Sequence, residues 1–192
     1  ILRGCFKLPT VHAEPPKACV DWSYLSAEDF QQKVLNRESG YISGIAGVGK
    51  SYTMLQITKM LEEQGVWVKK LAKCHVAALN IQGQTADSFL HKYQNGGFSS
   101  TKCCLVLEEV CCLESRLLAA LGKRKRMGVQ FICLGCPNQH LPIGNSVNGV
   151  AVEPDYEASA LLRTLCDGNR LHLTESKRSG EGALWDLSLI HI

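Results

Sequence analysis

The sequence predicts an α/β fold in which helices flank a parallel sheet. From Gly40 onwards, short apolar runs alternate with amphipathic stretches, which is typical of β-α units around a parallel sheet. The chain has 192 residues, of which 45% are hydrophobic and 20% are charged, and this is enough for one substantial core. We therefore predict one α/β domain over residues 38–192, preceded by a lead-in segment over residues 1–37.

The predicted elements follow one another in a regular alternation. In the lead-in segment, Pro9, Pro15 and Pro16 disfavour regular structure, whereas apolar spacing over residues 25–35 predicts a short helix capped by Ser26. Apolar runs predict strands at residues 41–43, 66–71, 105–107, 129–134 and 170–173. Amphipathic stretches predict helices at residues 51–64, 75–80, 85–93, 113–121 and 157–166.

Charge and hydropathy limit the class of protein. The net charge of +3 and the pI near 8.3 permit an anionic partner such as nucleic acid without demonstrating one. The N-terminus lacks the pattern of a signal peptide, and no apolar stretch reaches the roughly 18 residues that a membrane span requires. We therefore expect an intracellular protein of a reducing compartment, either nucleus or cytoplasm, with no membrane partner.

Ten cysteines occur in the chain, and most of them are expected in the core. Free cysteine behaves as a small hydrophobic residue when it lies in an apolar run. Cys133 and Cys136 also form a C-x-x-C pair, for which a redox pair or half of a zinc site is the alternative, although no second pair has suitable spacing. The cysteines in or beside apolar runs are Cys103, Cys104, Cys111, Cys112 and Cys133.

Residues 44–51 read Gly-Ile-Ala-Gly-Val-Gly-Lys-Ser and match the phosphate-binding pattern G-x-x-x-x-G-K-[ST]. The loop lies between a predicted strand and a predicted helix, where backbone N–H groups and the helix dipole favour bound phosphate. We expect Lys50 to reach the β- and γ-phosphates of a nucleotide and Ser51 to bind Mg²⁺. The alternative is a glycine-rich turn that precedes Lys-Ser by chance. Residues expected to contact the nucleotide are Gly44, Ala46, Gly47, Val48, Gly49, Lys50, Ser51 and Tyr52.

Two acidic residues follow the predicted strand at residues 105–107. A P-loop protein that hydrolyses nucleotide needs an acidic residue at the end of a second strand, to hold Mg²⁺ and to position water. We expect Glu108 to face the metal and Glu109 to act as the base that orients the attacking water. The alternative is the solvated start of a helix.

A basic run covers residues 123–126, just after a predicted helix. Cations at this position interact favourably with the negative end of the helix dipole, and we expect them to remain solvated. A nuclear-targeting signal and a nucleic-acid contact are the alternatives.

The motifs, taken in order, resemble those of superfamily 1 helicases, especially the RecD-like branch and related viral enzymes, from about residue 40 to residue 187. Residues 71–80 and 83–89 are similar to the segments that meet single-stranded nucleic acid in that family. Glu108 and Glu109 are similar to its acidic pair. Residues 135–142 look like the motif whose glutamine, here Gln139, senses the γ-phosphate. Residues 173–178 look like the motif whose arginine, here Arg178, stabilises charge on the transferred phosphate.

The resemblance implies a RecA-like P-loop ATPase domain with ATP and Mg²⁺ as cofactors and single-stranded DNA or RNA as partner. Because the chain stops after the Arg178 motif, we expect the second RecA-like domain of such helicases to be missing. DNA or RNA, and the polarity of movement, stay open. The catalytic residues implied are Lys50, Glu108, Glu109, Gln139 and Arg178.

Three positions depart from the family pattern: Glu108 and Cys136 replace aspartates, and Cys74 replaces a threonine. Loss of one electrostatic contact in a transition state costs on the order of 100- to 1000-fold in rate. We therefore predict that nucleotide binding survives while hydrolysis is slow or lost. The alternative functions are a non-catalytic nucleotide-binding module, a helicase remnant, or a small-molecule kinase, which Gln139 and Arg178 disfavour.

The segment over residues 73–89 is the predicted surface for a single strand. Phe89 fits the apolar face of a helix there and is expected in the core. The alternative is that the polar residues only cap and connect two short helices. The side chains on this surface that are expected to contact single-stranded nucleic acid are Lys73, His75, Asn80, Thr85 and Ser88.

Overall fold

A parallel sheet forms the centre of the molecule. The computed structural model describes residues 21–93, 102–136, 145–147, 150–151, 155–156 and 158–174. The strands are β1 (Ser23–Tyr24), β2 (Gly40–Ser43), β3 (Trp67–Ala72), β4 (Gln84–Thr85), β5 (Cys103–Leu107), β6 (Gln130–Gly135), β7 (Ser146–Val147), β8 (Val150–Ala151) and β9 (Asn169–His172). Seven of them form one sheet in the order β1-β9-β2-β6-β5-β3-β4, and its described pairs are all parallel. The short strands β7 and β8 form an antiparallel pair.

Helices cover both faces of this sheet. They are α1 (Ala27–Leu35), α2 (Lys50–Glu63), α3 (His75–Asn80), α4 (Ala86–Lys92), α5 (Ser115–Lys125) and α6 (Ala160–Leu165). Successive strand residues point to opposite faces, so Leu105 packs with α4, α5 and α6, whereas Val106 packs with α1, α2 and α3. The predicted α/β fold, a parallel sheet flanked by helices, is confirmed.

The ends of the helices follow local hydrogen bonds. Ser26 caps α1 as predicted, because its Oγ accepts a hydrogen bond from the Asp29 N–H at 3.1 Å. The helix predicted at residues 113–121 begins later, because a 3-10 turn (Val110–Cys112) follows β5 and Glu114 is the N-cap of α5. The helix predicted at residues 157–166 is shorter, since Ser159 caps α6 by accepting from the Leu162 N–H at 3.2 Å.

The described part of the predicted lead-in segment packs on the sheet. Strand β1 pairs with β9, and the side chains of Phe30 and Val34 on α1 are completely buried. A β-carbon at Gly40 would lie 2.4 Å from the Phe30 ring, so α1 lies directly against the start of β2.

Side-chain hydrogen bonds of Gln130 link the amino end of β6 with the end of α1 and the start of β2. The Gln130 side chain donates to the carbonyls of Val34 and Glu38, each at 2.7 Å, and accepts from Arg37 at 2.9 Å. Each of these groups therefore has a partner, as buried polar groups require.

The basic run is not wholly solvated, which corrects the expectation from sequence. Lys125 forms an ion pair with Asp167 at 2.7 Å and donates to Ser39 Oγ at 2.6 Å, and Arg124 donates to the Tyr93 carbonyl. Only Lys123 and Arg126 of the run are exposed. The fold brings acceptors from distant segments to the end of α5, which local sequence does not reveal.

The predicted core cysteines are largely buried. Cys103, Cys104, Cys111 and Cys133 are at most 3% exposed, while Cys112 is half-buried. All eight cysteines within the described residues are free thiols, and that part of the chain contains no group of three or more His, Cys, Asp or Glu side chains that could hold a metal ion. In the same residues, no helix has the length and apolar character needed to cross a membrane.

Candidate functional site

The glycine-rich loop joins β2 to α2 at the carboxyl edge of the sheet. Gly44 has φ of 153°, and a β-carbon there would lie 2.4 Å from the Leu173 carbonyl oxygen, so no larger residue fits beside β9. Helix α2 begins after Gly49, and no side chain caps its first turn. The free N–H groups and the dipole of a helix N-terminus attract phosphate.

Lys50 is held over the loop. Its Nζ donates to the carbonyl oxygens of Gly44 at 2.7 Å and Ile45 at 2.8 Å. Burial lowers the pKa of Lys50, and the nearby Cys136 and Glu108 oppose this effect. The loop thus places the ammonium group of Lys50 at the wall of a cleft that the loop glycines also line.

Glu108 follows β5 directly, and its carboxylate lies beside Ser51. Ser51 Oγ donates to Glu108 Oε1 at 3.0 Å, whereas Glu108 Oε2 is buried without a hydrogen-bond partner among the described residues. Burial raises the pKa of Glu108; Glu109 raises it further, while the Ser51 hydrogen bond and Lys50 lower it. A hydroxyl beside a carboxylate with one unsatisfied oxygen is the oxygen donor set that Mg²⁺ prefers, so these residues fit that ion.

Strand order explains why two distant motifs meet. Strand β6 lies between β2 and β5, and it ends at Gly135 on the edge that carries both the loop and Glu108. A β-carbon at Gly135 would lie 2.7 Å from Tyr41 Oη and 2.9 Å from Cys111 Sγ, so a side chain here would press on these two core side chains. The strand order thus places Gly135 at the cleft, between the loop and Glu108.

The result is a cleft of about 420 Å³. Of the predicted nucleotide contacts, Val48 is buried and Gly44 lies against β9, and neither lines this cleft. Gln139 and Arg178 lie outside the described residues, so their predicted roles are not tested. Leu134 and Gly135 were not among the predicted nucleotide contacts, although Gly135 begins the predicted motif at residues 135–142, and strand order brings both to the cleft. The lining consists of Ala46, Gly47, Gly49, Lys50, Ser51, Tyr52, Glu108, Glu109, Leu134 and Gly135.

Glu109 has a left-handed backbone, with φ of 51°, which is uncommon for a residue other than glycine. It is the last residue before the 3-10 turn that leads away from β5. The left-handed geometry lets the chain turn immediately while both glutamates stay at the cleft. Such backbone strain is frequent at functional sites.

Comparison with protein families gives a match to the AAA domain over residues 29–164, which is more than half of the chain. The chain belongs to the AAA domain family. A comparison with curated protein sequences gives no significant match for this AAA domain.

Solved helicase structures share the fold of this AAA domain. Pif1 helicase from Candida albicans matches with a TM-score of 0.66 and 22% identity, covering 86% of this chain and 43% of the helicase. Bacteroides Pif1 in complex with ADP-AlF4 matches with a TM-score of 0.56 and 20% identity, and the match covers 82% of this chain and 44% of that protein. Bacteroides Pif1 bound to ssDNA matches with a TM-score of 0.53 and 19% identity, and the match covers 82% of this chain and 44% of that protein. The predicted resemblance to RecD-like helicases is thus confirmed at the level of the fold, and the chain spans less than half the length of these proteins.

The surface predicted to contact single-stranded nucleic acid, residues 73–89, is only partly available to a ligand. Lys73 forms an ion pair with Glu114 at 2.7 Å. Thr85 is buried, and its side chain caps α4 by accepting from the Ser88 N–H at 3.2 Å, so the capping alternative holds for this residue. Phe89 is buried, as predicted. The exposed residues of this surface include His75, Val76, Leu79, Asn80 and Ser88.

Proposed function

We propose that this AAA domain binds ATP with Mg²⁺, hydrolyses it slowly, and acts as the nucleotide-binding half of a helicase-like ATPase on single-stranded nucleic acid. The observation that carries the proposal is the pairing of Ser51 with Glu108 in the cleft that also holds Lys50. The unsatisfied Glu108 Oε2 gives a ligand for the metal, and the hydroxyl of Ser51 gives a second one.

Each residue then has a separate task. Lys50 exchanges its hydrogen bonds to the Gly44 and Ile45 carbonyls for bonds to the β- and γ-phosphates. Glu109 accepts the proton of the attacking water and orients it. Ser51 and Glu108 would hold Mg²⁺, which would supply positive charge to offset the negative charge of the phosphates. We assign sensing of the γ-phosphate to Gln139 and stabilisation of its charge to Arg178, on the resemblance of their motifs alone.

Slow hydrolysis is proposed because two carboxylates of the family pattern are altered. Glu108 is one methylene longer than aspartate, which displaces the carboxylate within a cleft only about 420 Å³ in volume. Cys136 is buried beside Lys50 and offers a thiol in place of a carboxylate. Each change weakens electrostatic stabilisation, which typically costs on the order of 100-fold or more in rate.

Single-turnover hydrolysis of Mg-ATP tests this proposal. The variant Glu108→Asp with Cys136→Asp is expected to hydrolyse ATP at least about tenfold faster than the unmodified chain, because both aspartates of the family pattern are restored. Circular dichroism must show that the double variant is folded, since Cys136→Asp places a new carboxylate at a buried position. Adding Glu109→Gln to it is the control and should remove the gain. Fast hydrolysis by the unmodified chain, or no gain in a folded double variant, contradicts the account of these departures.

A non-catalytic nucleotide-binding module is the second candidate. The buried thiol of Cys136 beside Lys50 favours it, because a thiol cannot supply the missing carboxylate. Such a module would bind Mg-ATP, and the double variant would bind it as well, yet neither would turn over. The same single-turnover experiment therefore separates the two candidates.

Single-stranded nucleic acid is the proposed partner. Pif1 from Bacteroides has been crystallised with ssDNA, and its fold is shared by this chain. On α3, exposed Val76 and Leu79 lie beside His75 and Asn80, which offers apolar contact to bases and polar contact to the backbone. Since the chain spans less than half of the Pif1 proteins, unwinding of duplex is proposed to need further chain.

A further inference from the structure

A second cleft of about 600 Å³ lies beside the phosphate cleft. Gly49 and Tyr52 line both clefts, so Tyr52 stands at their junction. Tyr52 is in the first turn of α2 and is 65% exposed. The far wall is the end of β9, where His172, Leu173 and Thr174 follow one another. The remaining lining residues are Val48 and Thr53.

His172 is connected to a buried pair of polar side chains. Arg170 Nε donates to Ser43 Oγ at 2.8 Å, and Ser43 Oγ lies 2.9 Å from His172 Nδ1. Ser43 is completely buried, so its hydroxyl hydrogen needs an acceptor. The guanidinium of Arg170 cannot accept, whereas Nδ1 of a neutral imidazole can. In the neutral ring, Ser43 therefore donates to Nδ1 and the ring proton lies on Nε2.

Arg170 and the backbone pairing of β2 with β9 hold the His172 imidazole in position. Arg170 is only 3% exposed, and its guanidinium lies 5.3–5.6 Å from the ring centroids of Trp22, Tyr24 and Tyr41. The Leu173 N–H donates to the Ser43 carbonyl at 2.8 Å, which continues the pairing of β2 with β9 past His172. The Nε2–H group of the exposed His172 is thus a pre-organised donor at the second cleft.

We infer that the second cleft is a nucleobase subsite, in which His172 donates from Nε2 to an acceptor atom of the base and Tyr52 stacks on its ring. Ser43 and Arg170 are positioning residues that act through His172. The inference rests on the proposed nucleotide binding, because it assumes phosphates on the loop. Phosphates that start at Lys50 and run past Ser51 along the first turn of α2 lead the nucleoside towards Tyr52 and the second cleft.

The chemistry of the lining determines which bases fit. No carboxylate lies among the described lining residues, so no side chain there is a strong acceptor for an exocyclic amine. Every base carries an acceptor that matches the Nε2–H donor, either a ring nitrogen, as in adenine, or a carbonyl oxygen. The subsite should therefore accept ATP and GTP with affinities within about tenfold of each other, since one hydrogen bond discriminates weakly.

Calorimetry with Mg-ATP and with Mg-tripolyphosphate, which has no base, tests the subsite. Tyr52→Ala should weaken ATP binding roughly fivefold or more, through lost stacking. His172→Leu should weaken it by about threefold to tenfold, through one lost hydrogen bond. His172→Gln, whose amide offers a donor near the Nε2 position, should restore most of the affinity. Neither His172 variant should change the affinity for tripolyphosphate, and Tyr52→Ala, which also borders the phosphate cleft, should weaken ATP binding more than tripolyphosphate binding.

Two further measurements test the positioning role. Ser43→Ala should lower ATP affinity by about as much as His172→Leu and should add nothing when both changes are combined. Nitrogen chemical shifts of the His172 ring should show the Nε2–H tautomer in the unmodified chain. A ring protonated on Nδ1 alone overturns the positioning role.

The outcomes separate this inference from the proposed function. If ATP and tripolyphosphate both fail to bind, nucleotide binding itself is wrong. If both bind and the Tyr52 and His172 variants leave ATP affinity unchanged, or weaken both ligands equally, the nucleobase subsite is wrong while phosphate binding stands.

Discussion

The Glu108 carboxylate destabilises the metal-free protein but is suited to bind a metal ion. One carboxylate oxygen accepts from Ser51, and the other is buried without a partner in the described part of the chain. A buried, unsatisfied oxygen destabilises the free protein, whereas the same oxygen is available to a cation. Burial accordingly raises the pKa of Glu108 above its ordinary value of 4.5.

Replacement of Glu108 by glutamine should therefore stabilise the metal-free chain near neutral pH. Because the folded pKa of Glu108 is raised, the folded state takes up a proton before the unfolded state does. Stability contributed by this group thus increases as pH falls through the folded pKa towards 4.5. Glu108→Gln should remove that pH dependence and should also remove stabilisation by Mg-ADP.

Thermal unfolding from pH 5 to pH 8, with and without Mg-ADP, measures both effects. Glu63→Gln, at an exposed position at the end of α2, is the matched control and should behave like the unmodified chain. Equal stability of Glu108→Gln and the unmodified chain at every pH, together with equal gain from Mg-ADP, argues against a metal-binding carboxylate at this position.

At the scale of the elements, side-chain hydrogen bonds hold the amino ends of the strands. Gln130 of β6 connects the end of α1 with the start of β2, through Val34, Arg37 and Glu38. Gln130→Leu keeps the volume but leaves these buried groups without their partner, and it should lower the free energy of unfolding by about 3 kcal/mol. Gln32→Leu on the exposed face of α1 should change it by less than about 0.5 kcal/mol.

Urea denaturation of the two variants measures this difference. The cleft lies at the opposite edge of the sheet, so Gln130→Leu should still bind Mg-ATP while it is folded. A loss of stability no larger than that of Gln32→Leu shows that the hydrogen bonds of Gln130 do not hold the elements together.

Sequence predicted the elements with long periodic patterns and missed those without one. Helix α3 lies at the predicted residues, and β6 differs by one residue at each end. The two-residue strands β1 and β4 have no periodicity to detect, and they exist because β9 and β3 offer them a parallel partner. Lys125 looked solvated because Asp167 is distant in sequence.

The site residues likewise fall into those that a local sequence pattern predicted and those that it did not. A contiguous motif identified Lys50 and Ser51, and an acidic residue after an apolar strand identified Glu108. Ser43 and Arg170 are 127 residues apart, and only the pairing of β2 with β9 brings them together. No local pattern marks such a contact, so the second cleft could not be predicted from the sequence.

At the scale of the whole molecule, the chain shares its fold with one part of larger helicase structures. The match covers 86% of this chain but only 43% of Candida albicans Pif1. The candidate strand surface has few free cations, because Lys73 is paired with Glu114. The 192-residue chain should therefore bind single strands weakly, with log affinity falling linearly with log salt at about 0.7 per phosphate contact, and it should not unwind duplex.

Fluorescence anisotropy with a labelled oligonucleotide at low and moderate salt, together with a strand-displacement assay, measures both properties. Asn80→Ala, at the exposed end of α3, should weaken binding, whereas Gln56→Ala on the exposed face of α2 should not. Tight binding that does not depend on salt, or strand displacement by this chain alone, would falsify the proposal that the chain is the nucleotide-binding half of a helicase-like ATPase.

The central claim is that the loop at residues 44–51 binds the phosphates of a nucleotide through Lys50. Titration calorimetry of Mg-ATP into the unmodified chain, Lys50→Ala and Lys59→Ala tests it most directly. Lys59 is exposed on the same helix, so its removal matches the change in charge. Lys50→Ala should bind about 10- to 100-fold more weakly, because a charge-assisted hydrogen bond to phosphate is lost, while Lys59→Ala should bind normally. Equal affinity of all three proteins, or no binding by any of them, contradicts the claim.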